Sequence, residues 1–174
     1  MPSKAEPTVR TAEFQDIAAI TRFGEAHIQP HYAPLIGSEA ADDQVRNWWN
    51  ETHIEAAVTQ GLVVIAVADG QLLGVGQRGR NGNDHVIYKL YVHPQHRGHG
   101  VGPKLLDALT RKLPTSADRL YIEHFAANQR AGAFYEREGF TVERIEPSPT
   151  GNPDHAQVWR VRQLRQTDRP PNQV

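Results

Sequence analysis

The stretch HPQHRGHGVGPK, from His93 to Lys104, constrains this chain more than any other. Three glycines stand on alternate positions (Gly98, Gly100, Gly102), with Arg97 in front and an apolar helical run, Leu105, Leu106, Leu109 and Leu113, behind. A tract with so few side chains can turn several backbone N–H groups onto one ligand, and the start of the following helix adds about half a positive charge. Together these make a site for an anion, a phosphate above all. The fold must therefore deliver a strand, this loop and a helix in succession.

The remaining composition narrows what surrounds the loop. A chain of 174 residues is long enough to bury roughly two-thirds of its unfolded surface and reads as one domain. Nineteen Lys and Arg against 20 Asp and Glu leave a formal net charge of -1, so no overall field favours nucleic acid or a membrane surface. The absence of cysteine removes disulfides, thiolate metal sites and cysteine nucleophiles. The longest apolar run, Leu62 to Ala68, falls far short of the ~20 residues that cross a bilayer. MPSKAEPT at the start carries no secretory hydrophobic segment, and the chain reads as cytoplasmic.

In chain order, Thr8 to Thr11 alternates as a short strand, and Ile17, Ile20, Phe23 and Ala26 mark a helix from about Glu13 to Ile28. Pro30 and Pro34 are expected to end it in a loop carrying His31 and Tyr32. A second helix, capped by Ser38 or Asp42, should run through Val45, Trp48, Trp49, Ile54, Ala57 and Val58. Leu62 to Ala68 is a continuous β-branched strand, and Asp69-Gly70 turns it into a hairpin with Leu72 to Gln77. His85 to Val92 follows the Asn81 to Asp84 turn as a third strand. After the loop, the spacing predicts a helix over 103–113, a strand over 119–126, a helix over 128–137, and strands over 140–145 and 157–164. Residues 165–174, RQTDRPPNQV, are polar and proline-containing, and a disordered tail is expected there. The pattern is a mixed α/β sheet of about six to seven strands flanked by about four helices, in a single domain over residues 1–164.

Two familiar phosphate loops do not fit. A Walker loop requires Lys-Ser/Thr after its last glycine, where this chain has Pro103, Lys104 and Leu105. A dinucleotide fingerprint is G-x-G-x-x-G directly after a strand, whereas this run is G-x-G-x-G, set several residues beyond Val92. The spacing that does match is R-x-x-G-x-G, here Arg97-Gly98-His99-Gly100-Val101-Gly102. It resembles the acetyl-CoA loop of the GNAT superfamily of N-acetyltransferases. Leu90-Tyr91-Val92-His93-Pro94 is similar to that family's L-x-V-x-P approach strand. Asn128, Ala131, Phe134-Tyr135 and Gly139-Phe140 resemble its N-x-x-A-x-x-F-Y-x-x-x-G-F segment.

The resemblance implies a mostly antiparallel sheet with one splayed pair of strands, the donor's pantetheine arm lying in the gap. It implies that the backbone of Arg97, Gly98, His99, Gly100, Val101, Gly102 and Lys104 holds the pyrophosphate of acetyl-CoA; Pro103 has no N–H to give. It further implies backbone contacts from Leu90, Tyr91 and Val92, the Leu90 N–H polarising the thioester carbonyl, and a hydrogen bond from Asn128 to the pantetheine. Tyr135 stands where the family keeps its general acid.

An amine with a pKa near 10 is mostly protonated at neutral pH, so transfer also needs a base. Glu123 is the choice, because glutamate five residues before the asparagine and twelve before the tyrosine is the spacing of ribosomal-protein N-terminal acetyltransferases. His124 and His85 remain alternatives, and strand alternation puts Glu123 and His124 on opposite faces. His93, His96 and His99 lie on a turn and a loop with no carboxylate, which argues against a metal; Arg97 and His99 have the charge character to sit near phosphates. Of Trp48 and Trp49, one should be core. The expected partners are acetyl-CoA and a primary amine, of a small molecule or a peptide N-terminus, approached by 27–43 and 146–155. Neither nucleic acid nor membrane is expected, and a homodimer is compatible with this reading. The alternative is an acyl-CoA-binding sensor without turnover.

Overall fold

The computed structural model describes residues 5–164. Seven strands, β1 (Thr8–Thr11), β2 (Val63–Ala68), β3 (Gln71–Asn81), β4 (Asp84–Val92), β5 (Arg119–Phe125), β6 (Thr141–Glu146) and β7 (Gln157–Gln163), hydrogen-bond in the order β1-β2-β3-β4-β5-β7-β6. The β4–β5 pair is parallel, His85 facing Leu120. Antiparallel ladders join β1 to β2, β2 to β3, β5 to β7 and β6 to β7. The parallel pair requires a crossover, and α4 (Val101–Arg111) supplies it. The other helices are α1 (Ile17–Ile36), α2 (Ser38–Trp48), α3 (Glu51–Thr59) and α5 (Gln129–Arg137). This is the expected mixed α/β architecture, with five helices rather than about four. No helix among the described residues is long and apolar enough to cross a membrane. The expected tail, 165–174, lies outside the described residues.

Three helical expectations are corrected. Helix α1 does not stop before Pro30 but runs to Ile36 with Pro30 and Pro34 inside it. Each proline removes the N–H that would bond the carbonyl four residues back, on Ala26 and on Pro30. All three residues lie on the exposed side of the helix, where water can satisfy those carbonyls, and the turn closes again with Gly37 N–H on Ala33 O at 3.0 Å. The single second helix is two, because Asn50 interrupts it: its Nδ2 donates to Arg46 O at 2.8 Å and its Oδ1 accepts from His53 N–H at 2.9 Å. One side chain thus closes α2 and caps α3, and Gly37, rather than Ser38 or Asp42, stands at the N-cap of α2. Helix α4 begins two residues before the expected Pro103 and ends at Arg111. Strand β3 also overruns its expected end at Gln77 and reaches Asn81.

Residues divide into two compact units, one built on the chain up to Gln77 with Lys89–Ala108, the other on Arg78–Tyr88 with the chain from Leu109 onward. In the first, Ile17, Ile20, Phe23 and Ile28 of α1 pack with Trp49, Ile54 and Val58 against Val63, Ile65, Val75 and Tyr91. Trp49 is buried and Trp48 exposed; a Cβ at Gly24 would stand 2.7 Å from the Trp49 ring, so only glycine lets α1 approach it. In the second, Val86, Tyr121 and Trp159 form a smaller cluster with Val161 against it. Strand β6 is exposed along its whole length.

One cation sits inside the first unit. Lys89, 7% exposed, donates from Nζ to Gln77 Oε1 at 2.7 Å and lies 5.4 Å from the centre of the Trp49 ring. A neutral amide and a π face do not replace lost hydration, and burial lowers the ammonium pKa to about 8. The folded state therefore binds this proton less tightly than the unfolded chain, and stability must rise as pH climbs from the folded pKa toward the ordinary lysine value. Denaturant titrations should show a gain of about 2 kcal/mol between pH 8 and 10. In Lys89→Met that gain should vanish; a Met variant that keeps it would remove Lys89 as its source.

Candidate functional site

The loop after β4 and α4 as far as Ala108 belong to the first unit. Strand β4 ends at Val92, and His93 N–H bonds Leu73 O at 2.7 Å, tying the start of the loop to β3. His93 Nδ1 accepts from Gln95 N–H at 3.2 Å and caps a 3-10 turn over Pro94–His96. The chain then reverses through Gly98 and Gly100 at φ +76° and +80°, with nothing within 4 Å of where their Cβ atoms would be. Glycine is needed at these two positions for the left-handed backbone, and the space beside each is open. Gly100 O accepts from Lys104 N–H at 3.3 Å, so Gly100 caps α4. Val101 and Gly102 stand in the first turn, where no preceding carbonyl can take their N–H groups.

What seats this helix is Gly74. A Cβ there would lie 2.8 Å from Leu105 Cδ1, 3.0 Å from Tyr91 O and 3.4 Å from Val101 Cγ1. The first turns of α4 thus rest directly on strand backbone. Around the loop, His99 Nδ1 lies 2.9 Å from Arg97 O. Lys104 Nζ bonds Glu6 Oε1 at 2.8 Å, an exposed pair in which the lysine holds Glu6 below the usual carboxylate range. Arg97 does not extend toward solvent: its Nη2 donates to Tyr91 Oη at 2.7 Å and its Nε to Val92 O at 3.2 Å. Leu90 is half-buried and Tyr91 buried on β4. The arrangement can hold an anion through backbone donors and the helix terminus.

The second unit holds the remaining candidates. Asn128 is buried and caps α5, its Oδ1 accepting from Ala131 N–H at 3.2 Å. Tyr135, 7% exposed, lies one face of α5 inward, with ring centres 5.2 Å from Phe134 and 5.7 Å from Phe140. The residue of β5 stacked on it is His124, at 6.3 Å and 21°. Both imidazole nitrogens of His124 are engaged: Nε2 accepts from Arg160 Nε at 3.0 Å, and Nδ1 faces Phe125 O at 2.9 Å. Accepting at Nε2 fixes the neutral Nδ1–H form. Burial is the main cause that lowers its pKa; the Phe125 carbonyl opposes this and the Arg160 charge adds to it.

Glu123 occupies the opposite face of β5, directly across from Trp159 of β7. It is half-buried, and among the described residues no donor or cation contacts its carboxylate within bonding distance. Its pKa is raised, first by burial and then by the charge of Glu146, with Arg144 opposing. Tyr88 is close enough for the Glu123 charge to raise the phenol's pKa, after burial, while its hydroxyl donates to Arg80 O at 2.9 Å. Arg144 lies 4.5 Å over the Trp159 ring. His85, half-buried, is held below the ordinary imidazole range by burial and then by Arg80 and Arg78, with Asp84 opposing. Of the candidate bases, then, His124 shares Tyr135's surroundings and is consumed by other bonds, whereas Glu123 is unpaired on the other face. Among the described residues no three His, Cys, Asp or Glu side chains gather as a metal would require.

Sequence reasoning did not single out Arg160 or Tyr91's hydroxyl. Arg160 carried a signal, an arginine between Trp159 and Val161, but its partner lies 36 residues away. An NMR titration of His124 should give a midpoint below that of an exposed histidine, and Arg160→Gln should move it upward. An unmoved midpoint would mean the guanidinium does not bear on the ring.

Three comparisons relate this chain to known proteins. The family model described as "Acetyltransferase (GNAT) domain" matches residues 59–142. Among curated proteins, a mycothiol acetyltransferase of Propionibacterium freudenreichii is 29% identical over 142 residues, 76% of this chain and 41% of its own length. An N-alpha-acetyltransferase 60 of Drosophila melanogaster is 37% identical over 73 residues, 40% of this chain and 26% of its own. The chain thus spans well under half of these two relatives. Among solved structures, PaiA N-acetyltransferase from Thermoplasma acidophilum in complex with coenzyme A superimposes with a TM-score of 0.76 at 16% identity, covering 92% of this chain and 100% of its own. YncA from Salmonella typhimurium with acetyl-CoA gives 0.67 at 23%, covering 93% and 96%. At these identities the likeness is one of fold.

Proposed function

We propose that the chain is a GNAT acetyltransferase, the family whose domain model matches residues 59–142, and that it moves the acetyl group of acetyl-CoA directly to a primary amine. The donor's pyrophosphate is held by the backbone N–H groups of 98–102 at the start of α4, where the left-handed Gly98 and Gly100 leave room for it. Lys104 and His99 supply nearby positive or polar character. Backbone of Leu90 and Val92 orients the pantetheine, and the Leu90 N–H polarises the thioester carbonyl as charge develops on its oxygen. The base first takes a proton from the ammonium, the freed lone pair attacks the carbonyl carbon, and the C–S bond breaks as Tyr135 protonates the departing thiolate, the nitrogen's second proton leaving to water. Asn128 bonds the pantetheine amide. The acceptor, a small-molecule amine or a peptide N-terminus, enters by 27–43 and 146–155, in a cytoplasmic setting.

The observation that carries the catalytic assignment is Glu123: a half-buried carboxylate without a bonding partner among the described residues, its pKa raised by burial and by Glu146. A carboxylate so placed is a stronger base than an exposed one and is not committed elsewhere. His124, by contrast, has already given its lone pair to Arg160.

Calorimetric titration with CoA and with ATP, followed by thiol release over a panel of amines and peptides, tests the whole reading. CoA binding with turnover is expected. ATP binding in its place would overturn it, and CoA binding with no turnover on a broad panel would make the protein a sensor. Tyr135→Phe should lower kcat about 100-fold with CoA affinity nearly intact. Glu123→Gln should remove the acidic limb of kcat/KM, which in the wild type lies above the ordinary carboxylate range; a limb that survives would exclude Glu123 as the base.

The loop has its own test. Gly98→Ala and Gly100→Ala each impose a left-handed alanine, costing about 1 to 2 kcal/mol, and should weaken CoA binding about 5- to 30-fold. Gly82, at φ +60° in the β3–β4 turn, is the control: Gly82→Ala should cost similar stability and leave CoA affinity unchanged.

A further inference from the structure

Arg97 is the one fully charged side chain of the glycine loop with no carboxylate partner among the described residues, and the obvious use for it is a phosphate. Its contacts say otherwise. Nη2 donates to Tyr91 Oη at 2.7 Å, Nε donates to Val92 O at 3.2 Å, and the guanidinium carbon lies 5.1 Å from the centre of the Tyr91 ring. Two edges of the planar fork are thus bound to the end of β4, and its face is covered by the same tyrosine. Tyr91 in turn is anchored: it is buried, its hydroxyl donates to His27 O at 3.2 Å, and its ring meets Phe23 at 5.7 Å and His31 at 5.2 Å.

We propose that Tyr91 and Arg97 form a strut that positions the glycine loop against β4 and the backbone of α1, and that Arg97 acts on the donor through the loop rather than by touching its phosphates. Tyr91 is the positioning residue this adds. The geometry requires both members. The guanidinium carries its charge to a place where only neutral oxygens meet it, and a cation confined in this way is held by directed bonds and ring contact, not by an anion. Arg97 is also the first residue of the turn that presents Gly98, and its own carbonyl is met by His99 Nδ1 at 2.9 Å. Fixing its side chain to β4 therefore sets where the left-handed glycines begin. The anion is left to the backbone donors at the head of α4, which the strut holds in place.

The proposal rests on the loop being the CoA site, and the experiment separates the two. Four proteins are compared: wild type, Tyr91→Phe, Arg97→Lys and the double variant. Amide hydrogen exchange over 93–104 in the absence of any ligand reads the strut itself, and CoA titration reads its consequence. Under the proposal both single variants exchange faster in this segment by a factor of 10 or so, both weaken CoA about tenfold, and the double is no worse than either single, because each breaks the same strut. Lysine keeps the charge but cannot make the fork, so it does not rescue. If Arg97 were a phosphate ligand, Arg97→Lys would retain most of the affinity, Tyr91→Phe would be neutral, and exchange without ligand would be unchanged; any of these overturns the strut. A Phe variant that lost stability throughout the chain would show faster exchange in β5 and α5 as well, and exchange confined to 93–104 is required. Wild-type protein that failed to bind CoA at all would sink the acetyltransferase reading, while the exchange data would still decide the strut.

Discussion

The structure around the loop depends on one close approach. Gly74 of β3 has no side chain, and Leu105, Val101 and the Tyr91 carbonyl occupy the place where one would be. A helix can aim its unpaired N–H groups at a ligand only if its first turn is held still, and here it is held by contact with strand backbone rather than by long side chains that could shift. Everything ahead of that turn is then short and tied: His93 to Leu73, Arg97 to Val92 and Tyr91, Lys104 to Gly100. The two left-handed glycines span what remains. The anion site proposed at this helix terminus therefore rests on packing at the opposite side of the helix.

Three titratable side chains are withdrawn from solvent, Lys89 buried and Glu123 and His124 half-buried, and what surrounds each decides its chemistry. Lys89 has a neutral amide and an indole face, so burial dominates and its proton is loosely held. His124 has a guanidinium on one nitrogen and a carbonyl near the other, so its tautomer is fixed and its basicity spent. Glu123 has no bonding partner among the described residues and a second carboxylate in range, so it retains its lone pairs and binds a proton more tightly than an exposed glutamate. Burial by itself would not have distinguished Glu123 from His124. The partner, or its absence, does.

Strands were legible in the sequence because their signals are local. Asp69-Gly70 and the Asn81 to Asp84 turn bracket β-branched runs, and the strands emerged within a few residues of the expected bounds. Proline in α1 was misleading for the same reason, since the rule against it assumes a carbonyl that needs its N–H. That need disappears where Ala26 and Pro30 face water, which depends on how the helix is rotated on its core. Asn50 looks like one more polar residue on an amphipathic stripe, and only the bonds to Arg46 and His53 make it a double cap. In the site, alternation said that Glu123 and His124 face opposite ways; it could not say which one meets α5, because Tyr135 and Arg160 come from elsewhere in the chain.

Tyr91 shows how far residue roles can drift from motif positions. Within L-x-V-x-P it stands at an unspecified place, and alternation gives it only a buried face. Yet its hydroxyl connects two backbone segments 64 residues apart in sequence, His27 and its own strand, and carries the guanidinium of the loop. A phenylalanine would fill the same volume and keep the ring contacts with Phe23 and His31. What it would lose is a donor and an acceptor at one buried oxygen, and in a low-dielectric setting that oxygen is what gives Arg97 a fixed address. Specific loop geometry here is thus bought with a polar atom inside an apolar cluster, which is costly unless every neighbour of that atom is satisfied. The bonds to His27 O and from Arg97 Nη2 meet that condition, so the strut can stabilise the loop without destabilising the core that holds it.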